Sequence, residues 1–274
     1  MLTFGSLFAG IGGLDLGLER AGMECKWQVE LLESSRKVLK KHWPDIPQHE
    51  DVRDCHGVGY TVDSDTPQEL ESVDLICGGF PCQDVSLAGK RAGLHGKRST
   101  LWAEMYRIAI ETNARWIVAE NVPGLLSSDN GRFFGNVLRD LAEGGYNAEW
   151  ECIPAFAFGS PQRRERVVLV AYSNGLSDVC DMEQRRTVIS GEKVEKKRSC
   201  HRPRLVSEIG DVAPSEWAPT TGRFSTIPRP LLLRGDNGVR AGMERNKQLG
   251  NAVVPQFAQW IGEKIMAYEE NLTA

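Results

Sequence analysis

An α/β fold built on a largely parallel sheet is predicted by two features of the sequence. Short apolar runs of strand length recur through residues 1–173, and stretches with helical periodicity fall between them. The repeated strand-then-helix order places the functional loops at the carboxyl ends of the strands.

The elements follow in order. Leu2 to Leu7 reads as the first strand, and Leu14, Leu18 and Ala21 share one face of the helix after it. Lys26 to Leu31 and Val73 to Cys77 are the next strands, and Leu101, Met105 and Ile108 mark a second helical stripe. Trp116 to Ala119 precedes a third stripe, Phe134, Leu138 and Leu141, before strands at Ala148 to Ile153 and Arg166 to Ala171. From Tyr172 to about Arg245 the chain is rich in Arg, Lys, Pro, Gly and Ser with few periodic apolar segments, which predicts a separate irregular region. Regular structure returns where Val254, Phe257, Ala258, Ile261 and Ile265 fit one face of a helix beginning near Pro255. The expected division is residues 1–173, 174–245 and 246–274, with the last part completing the first.

A length of 274 residues with 41% hydrophobic content suits one large domain with a modest appendage. No apolar run approaches the roughly 18 residues of a membrane span, and Met1 to Phe4 lacks a signal peptide's basic region and apolar core. A cytoplasmic protein without membrane contact is expected. The seven cysteines are odd in number and lack a CxxC pair, so reduced thiols are expected and a zinc cluster is not; Cys180, Cys200 and His201 have the wrong spacing for one. Cys25, Cys77 and Cys152 read as small buried hydrophobes. The net charge of -4 argues against indiscriminate coating of nucleic acid. Between Arg185 and Arg204, however, Arg186, Lys193, Lys196, Lys197, Arg198 and Arg202 face only Glu192 and Glu195. That stretch fits a phosphate contact or a solvated loop equally well.

Three sets of residues carry candidate chemistry. Phe8-Ala9-Gly10-Ile11-Gly12-Gly13 follows a strand and opens a helix, where glycines allow a tight turn and close approach of a ligand. Glu30 ends the next strand at the separation that lets a carboxylate accept ribose hydroxyls, and Asp51, before Val52, can accept an exocyclic adenine amine. This predicts a nucleotide-like cofactor but leaves a nicotinamide and S-adenosylmethionine both open.

The remaining loops supply reactive groups. Gly78-Gly79-Phe80-Pro81-Cys82-Gln83 follows a strand directly, so Cys82 sits on a glycine- and proline-shaped loop suited to a nucleophile. Glu120, in Ala119-Glu120-Asn121-Val122-Pro123, is a candidate general acid at another strand end. The guanidinium groups of Pro161-Gln162-Arg163-Arg164-Glu165-Arg166 can orient a carboxylate or stabilise negative charge.

With these loops the chain resembles the cytosine-5 DNA methyltransferase family, through FAGIGG, GGFPCQ, AENVPGL, PQRRER and LGNAVVP in that order. The resemblance covers nearly all of Leu2 to Tyr172 and then Asn246 to Ile265. It implies a Rossmann-like S-adenosylmethionine-dependent methyltransferase fold with a small irregular target-recognition domain in the unmatched middle. It further implies Cys82 as nucleophile, Glu120 and Arg164 as active-site acid and arginine, and S-adenosylmethionine as cofactor. Phe8, Ala9, Gly10, Gly12, Glu30, Asp51, Val52 and Asn251 fall on positions like the family's cofactor-binding set.

The implied substrate is a cytosine in double-stranded DNA, turned out of the stack because neither face is reachable within a duplex. Ser86, Lys90, Arg91, Lys97 and Arg98, interspersed with Gly89, Gly93 and Gly96, suit a loop that closes over DNA, with Ser86 and Arg98 as contacts. In the recognition region Trp217, Arg223, Arg229 and Arg234 are candidates. A monomer is expected; a cognate restriction endonuclease, as a functional rather than physical partner, and a phage-borne or solitary setting are both open.

The pattern departs at Asp84 and Val85, where the family commonly has an aromatic residue before the serine, and at Leu32, where an acid is common. An RNA cytosine methyltransferase, a catalytically inactive DNA-binding relative and a dehydrogenase are the rival readings. Intact Cys82, Glu120 and Arg164 weigh against the second, and a dehydrogenase leaves GGFPCQ and PQRRER without a purpose. The cysteine-containing recognition motif of the RNA branch is not evident.

Overall fold

The computed structural model describes residues 1–81, 101–158, 164–173 and 253–273. Cys82, Ser86, Arg98, Asn251 and the whole of the expected recognition region lie outside the described residues.

The main sheet has seven strands: β1 (Thr3–Leu7), β2 (Glu24–Val29), β3 (Gln48–His49), β6 (Leu75–Gly78), β7 (Trp116–Asn121), β8 (Tyr146–Pro154) and β9 (Glu165–Ser173). They lie in the order β3-β2-β1-β6-β7-β9-β8, and a separate two-stranded ladder joins β4 (Cys55–Gly57) to β5 (Gln68–Leu70). The pairs from β3 through β7 are parallel, whereas β9 runs antiparallel to both β7 and β8. Strand order reverses between β1 and β6, which pair with Leu7 beside Gly78. The loops leaving these two strands therefore diverge around a crevice, the usual ligand position in an open α/β sheet.

Both faces of the sheet are covered, and the strands alternate accordingly. Leu75, Trp116, Val118, Val168 and Val170 face one layer with Leu14 and Leu18 of α1 (Gly13–Arg20) and Phe257, Ile261 and Ile265 of α5 (Pro255–Thr273). Ile76, Ile117, Ala119 and Leu169 face the other, with Met105 and Ile108 of α3 (Leu101–Glu111) and Val137 and Leu141 of α4 (Arg132–Glu143). A further helix, α2 (Glu33–His42), follows β2.

The last helix is fastened to the sheet by charge as well as packing. Arg115 donates through Nη1 to both oxygens of Glu269 at 2.8 Å and through Nη2 to Asp74 at 3.0 Å. Trp116 Nε1 adds a 2.6 Å bond to Glu269. The helix that begins at Pro255 thereby returns to the domain begun by β1.

Two expectations need correction in detail. The second strand begins at Glu24 rather than Lys26, because Glu24 N–H already bonds the Leu2 carbonyl at 2.9 Å. Cys152 is exposed, not buried. It lies on β8, whose outer edge has no strand partner among the described residues, so the apolar run there is only half covered. Among the described residues no helix is long and apolar enough to cross a membrane.

Candidate active site and cofactor cleft

The loop after β1 is shaped by backbone that turns left-handed three times, at Phe8, Gly10 and Gly12, with φ of 54°, 58° and 84°. Gly12 is the N-cap of α1, and a Cβ there would lie 2.4 Å from the Trp43 ring. Gly12 thus turns the chain behind the loop rather than lining the cleft in front of it. A Cβ on Gly13 would meet the Val253 carbonyl at 2.5 Å. Val253 is consequently packed against this loop, although Asn251 is outside the described residues.

In front of the loop lies a cavity of about 530 Å³. Phe8, Ala9, Gly10, Glu30, Asp51 and Val52 all line it, as do Gly79, Pro81 and Glu120. Six of the expected cofactor residues and the expected acid are therefore gathered around one space. Its size falls within the range of small-molecule and cofactor sites.

Glu30 is buried at the edge of this cleft and already works on the backbone. Its Oε2 accepts the Gly10 N–H and its Oε1 the Leu32 N–H, each at 2.8 Å. A carboxylate has about four acceptor positions, so two remain for incoming hydroxyls. Arg36 supports the same turn by donating to the carbonyls of Glu30 and Leu31 at 2.8 and 2.6 Å. On the opposite wall Asp51 is paired with the exposed Arg53, which holds its carboxyl below the usual range.

Glu120 is 7% exposed near the end of β7 and also borders a smaller cavity with Arg164, Arg166, Val254 and Phe257. It therefore forms a wall between the cofactor cleft and the arginine pocket. Burial pushes its carboxyl above the ordinary glutamate value, opposed by the charges of Arg166 and Arg164. Arg166 is the nearer, with Nε 2.6 Å from Glu120 Oε1, whereas Arg164 Nη2 is 3.9 Å away. Burial and the neighbouring Arg166 charge make the Arg164 guanidinium less basic than usual, which Glu120 partly offsets.

Sequence reasoning misses two of these relationships. Arg166 is there one of three guanidinium groups and is not singled out, yet period-two alternation from Arg164 through β9 puts the groups of Arg164 and Arg166 on one side. Asn121 does not stand out beside Glu120. Its buried Nδ2 donates to the Phe80 carbonyl at 2.8 Å while its Oδ1 accepts the Val122 N–H at 2.8 Å. The loop that leads into Cys82 is thus tied to the strand end that carries the acid.

Comparison with known proteins gives the family and the fold. The model of the C-5 cytosine-specific DNA methylase family matches residues 2–227. Type II methyltransferase M.Eco47II of Escherichia coli is 39% identical over 178 residues, which cover 65% of this chain and 41% of that protein. Type II methyltransferase M.HhaI of Haemophilus parahaemolyticus is 30% identical over 176 residues, 64% of this chain and 50% of that one. The aligned region thus spans half or less of the length of these curated relatives. Among solved structures, a DNA modification methyltransferase encoded within an E. coli prophage superposes with a TM-score of 0.51 at 24% identity, over 65% of this chain and 48% of that chain. That likeness is one of fold, the Rossmann-like architecture of S-adenosylmethionine-dependent methyltransferases. With most of its length matched by the family model, the chain belongs to the C-5 cytosine-specific DNA methylase family.

Proposed function

We propose that this chain methylates carbon 5 of a cytosine within a specific sequence of double-stranded DNA, using S-adenosylmethionine and Cys82. The observation that carries this reading is the single cleft bounded by the glycine loop, Glu30, Asp51 and Glu120, with Gly79 and Pro81 on the same wall. Pro81 is the residue before the proposed nucleophile.

The cleft suits the proposed cofactor. A carboxylate next to the glycine loop fits ribose hydroxyls, a second carboxylate on the far wall fits an adenine amine, and the volume of about 530 Å³ accommodates the whole molecule. Phe8, Ala9, Gly10, Glu30, Asp51 and Val52 would hold it, with Asn251 approaching from the segment before Val253. When bound, it supplies an electrophilic sulfonium methyl group.

The chain's own residues prepare the base. Carbon 5 of cytosine is a weak nucleophile until the ring gains electron density, and addition of the Cys82 thiolate at carbon 6 provides it. Glu120 hydrogen-bonds at N3, where its raised proton affinity suits a group that must stabilise the electron-rich ring as an acid. Arg164 and Arg166 hold the base and balance the developing charge. After methylation, loss of the carbon 5 proton to a base returns electrons to the ring and expels Cys82. The target must first leave the duplex, at a cost of about a few kcal/mol. Ser86 and Arg98 are the proposed contacts to the DNA around it. The relatives' description as type II methyltransferases supports a setting opposite a cognate restriction endonuclease.

The test is bisulfite sequencing of unmethylated plasmid DNA after incubation with the protein and S-adenosylmethionine, with Cys82→Ala as control. Protection of cytosines in one sequence context, absent from the control, is the expected result. Uniform conversion despite demonstrated cofactor binding would reject the DNA reaction in favour of an RNA substrate or an inactive relative.

A further inference from the structure

The adenine-facing wall of the cleft is not held by the sheet that holds the rest of it. Backbone bonds from the main sheet reach only His49, whose carbonyl accepts the Glu30 N–H at 3.0 Å. Beyond that point the chain passes through Asp51 and Val52 into β4, which belongs to the separate ladder. Arg53 holds the Asp51 carboxyl locally, donating to its Oδ1 from the backbone N–H at 3.0 Å and from Nε at 2.9 Å, but both residues sit on this one segment, and something else must fix the segment.

Helix α3 does so from behind. Arg107 Nη2 donates to the Val52 carbonyl at 3.1 Å, and Glu111 Oε2 accepts the Gly57 N–H at 3.0 Å. The two side chains are joined by a 2.9 Å bond from Arg107 Nη1, and Glu104 holds the other side of the guanidinium at 2.7 Å. The Cys55 thiol closes the turn by donating to the Asp51 carbonyl at 3.3 Å. Neither Arg107 nor Glu111 is among the described residues that line the cleft, so both act through Val52 and its neighbours. The other end of the same helix meets the nucleophile loop, where the Trp102 and Phe80 rings are 5.5 Å apart.

We propose that Arg107, clamped by Glu111 and Glu104, is a positioning residue that sets the adenine selectivity of the cofactor cleft by fixing the Asp51–Val52 segment. This rests on the cofactor reading above. Without the clamp the ladder and its turn drift relative to α3, and a carboxylate that must meet an exocyclic amine within hydrogen-bond distance loses that register.

The probes are S-adenosylhomocysteine and S-inosylhomocysteine, which differ at the purine 6-position, amine against carbonyl oxygen. Calorimetric titration of the full chain should show a preference for the adenosyl compound of about ten- to a hundredfold, the range of one hydrogen bond to a charged group. In Arg107→Met that ratio should fall towards unity, with adenosyl affinity reduced about tenfold. Arg107→Lys keeps the positive charge between the two acids, but one ammonium cannot span both acids and the Val52 carbonyl, so it should fall with Met. A merely structural role would lower the melting temperature and leave the ratio intact. Variants that fold and keep the wild-type ratio would overturn the proposal alone. Wild-type protein that binds neither compound would overturn the cofactor reading and the proposal with it, whereas wild-type protein that binds both equally would overturn the amine contact at Asp51 on which the proposal rests.

Discussion

The Oε2 atom of Glu120 lies 3.1 Å from where a Cβ would stand on Gly79, so the glycine before Phe80 leaves room for the proposed acid. Gly79 does not have a positive φ, and alanine suits its backbone. A methyl group there acts on the carboxyl and not on the fold. Gly79→Ala should lower kcat on the order of tenfold through a displacement of a few tenths of an ångström, with the melting temperature nearly unchanged. Single-turnover methylation of a saturating DNA substrate measures this. Wild-type turnover would show that the carboxyl's place does not matter.

The arginine closest to Glu120 opposes the effect of burial on its proton. Burial raises the carboxyl's proton affinity, and the Arg166 charge at 2.6 Å restrains that rise. Removing the charge in Arg166→Gln should let the affinity climb further. If the protonated acid is the working form, the alkaline limb of the pH profile of kcat/KM moves to higher pH even as the absolute rate falls. Arg164→Gln, starting from 3.9 Å, should move it less. Superimposable limbs in wild type and Arg166→Gln would remove Arg166 from control of Glu120.

These residues also show what a sequence exposes and what it hides. The glycine loop and the GGFP segment are legible because turns and close approaches demand particular residue types, which stand out from their surroundings. Phe8, Ala9 and Gly10 are found at the cleft for that reason, whereas Glu30, Asp51 and Val52 are legible only by their place at strand ends. Gly12 is legible as a turn, but a pattern cannot say which side of the turn faces a ligand. The order of Arg164 and Arg166 around Glu120 depends on strand pleat and on a packing distance, and PQRRER alone contains neither. The burial expected for Cys152 fails because an apolar run does not reveal whether its strand is central or at the edge. The β4–β5 ladder is invisible in the sequence, since Cys55-His56-Gly57 and Gln68-Glu69-Leu70 have no sustained alternation. The α3 clamp is a tertiary contact, 55 residues apart in sequence between Arg107 and Val52.

Glu30 holds the loop and, in the proposed function, also the cofactor, and two substitutions separate those tasks. Glu30→Gln keeps the shape but leaves only one oxygen to accept the Gly10 and Leu32 N–H groups, now 2.8 Å from separate oxygens. S-adenosylmethionine affinity should fall about tenfold in Glu30→Gln, and further in Glu30→Ala, where ribose contacts vanish as well. Equilibrium titration provides the comparison. Unchanged affinity in Glu30→Ala would remove this residue from the site.

Beneath the glycine loop a second carboxyl has a measurable cost. Asp15 in the first turn of α1 is fully buried, accepting the Gln28 amide at 2.7 Å and the Ser6 hydroxyl at 3.0 Å. It bridges β1, α1 and β2 through neutral partners, and burial pushes its carboxyl up to about 6 from 3.8, against the pull of those hydrogen bonds. Between these values the folded state binds more protons than the unfolded chain, so stability falls as pH rises through the window. Above it the ionised group costs about 3 kcal/mol, as an upper figure. An asparagine in its place would keep the bridge, accepting from Gln28 and donating to the Ser6 oxygen, and would carry no charge. Asp15→Asn should therefore be more stable than wild type at pH 7 by about 1–3 kcal/mol, a rise of about 2–12 °C in Tm. The advantage should shrink towards zero below about pH 4, where the wild-type carboxyl is protonated whether folded or not. Thermal melts of both proteins from pH 4 to 8 decide the matter. Parallel curves would mean that Asp15 does not titrate in this window. Equal cofactor affinity in the two proteins at pH 7 would show that the hydrogen-bonded bridge, and not the charge, supports the loop above it.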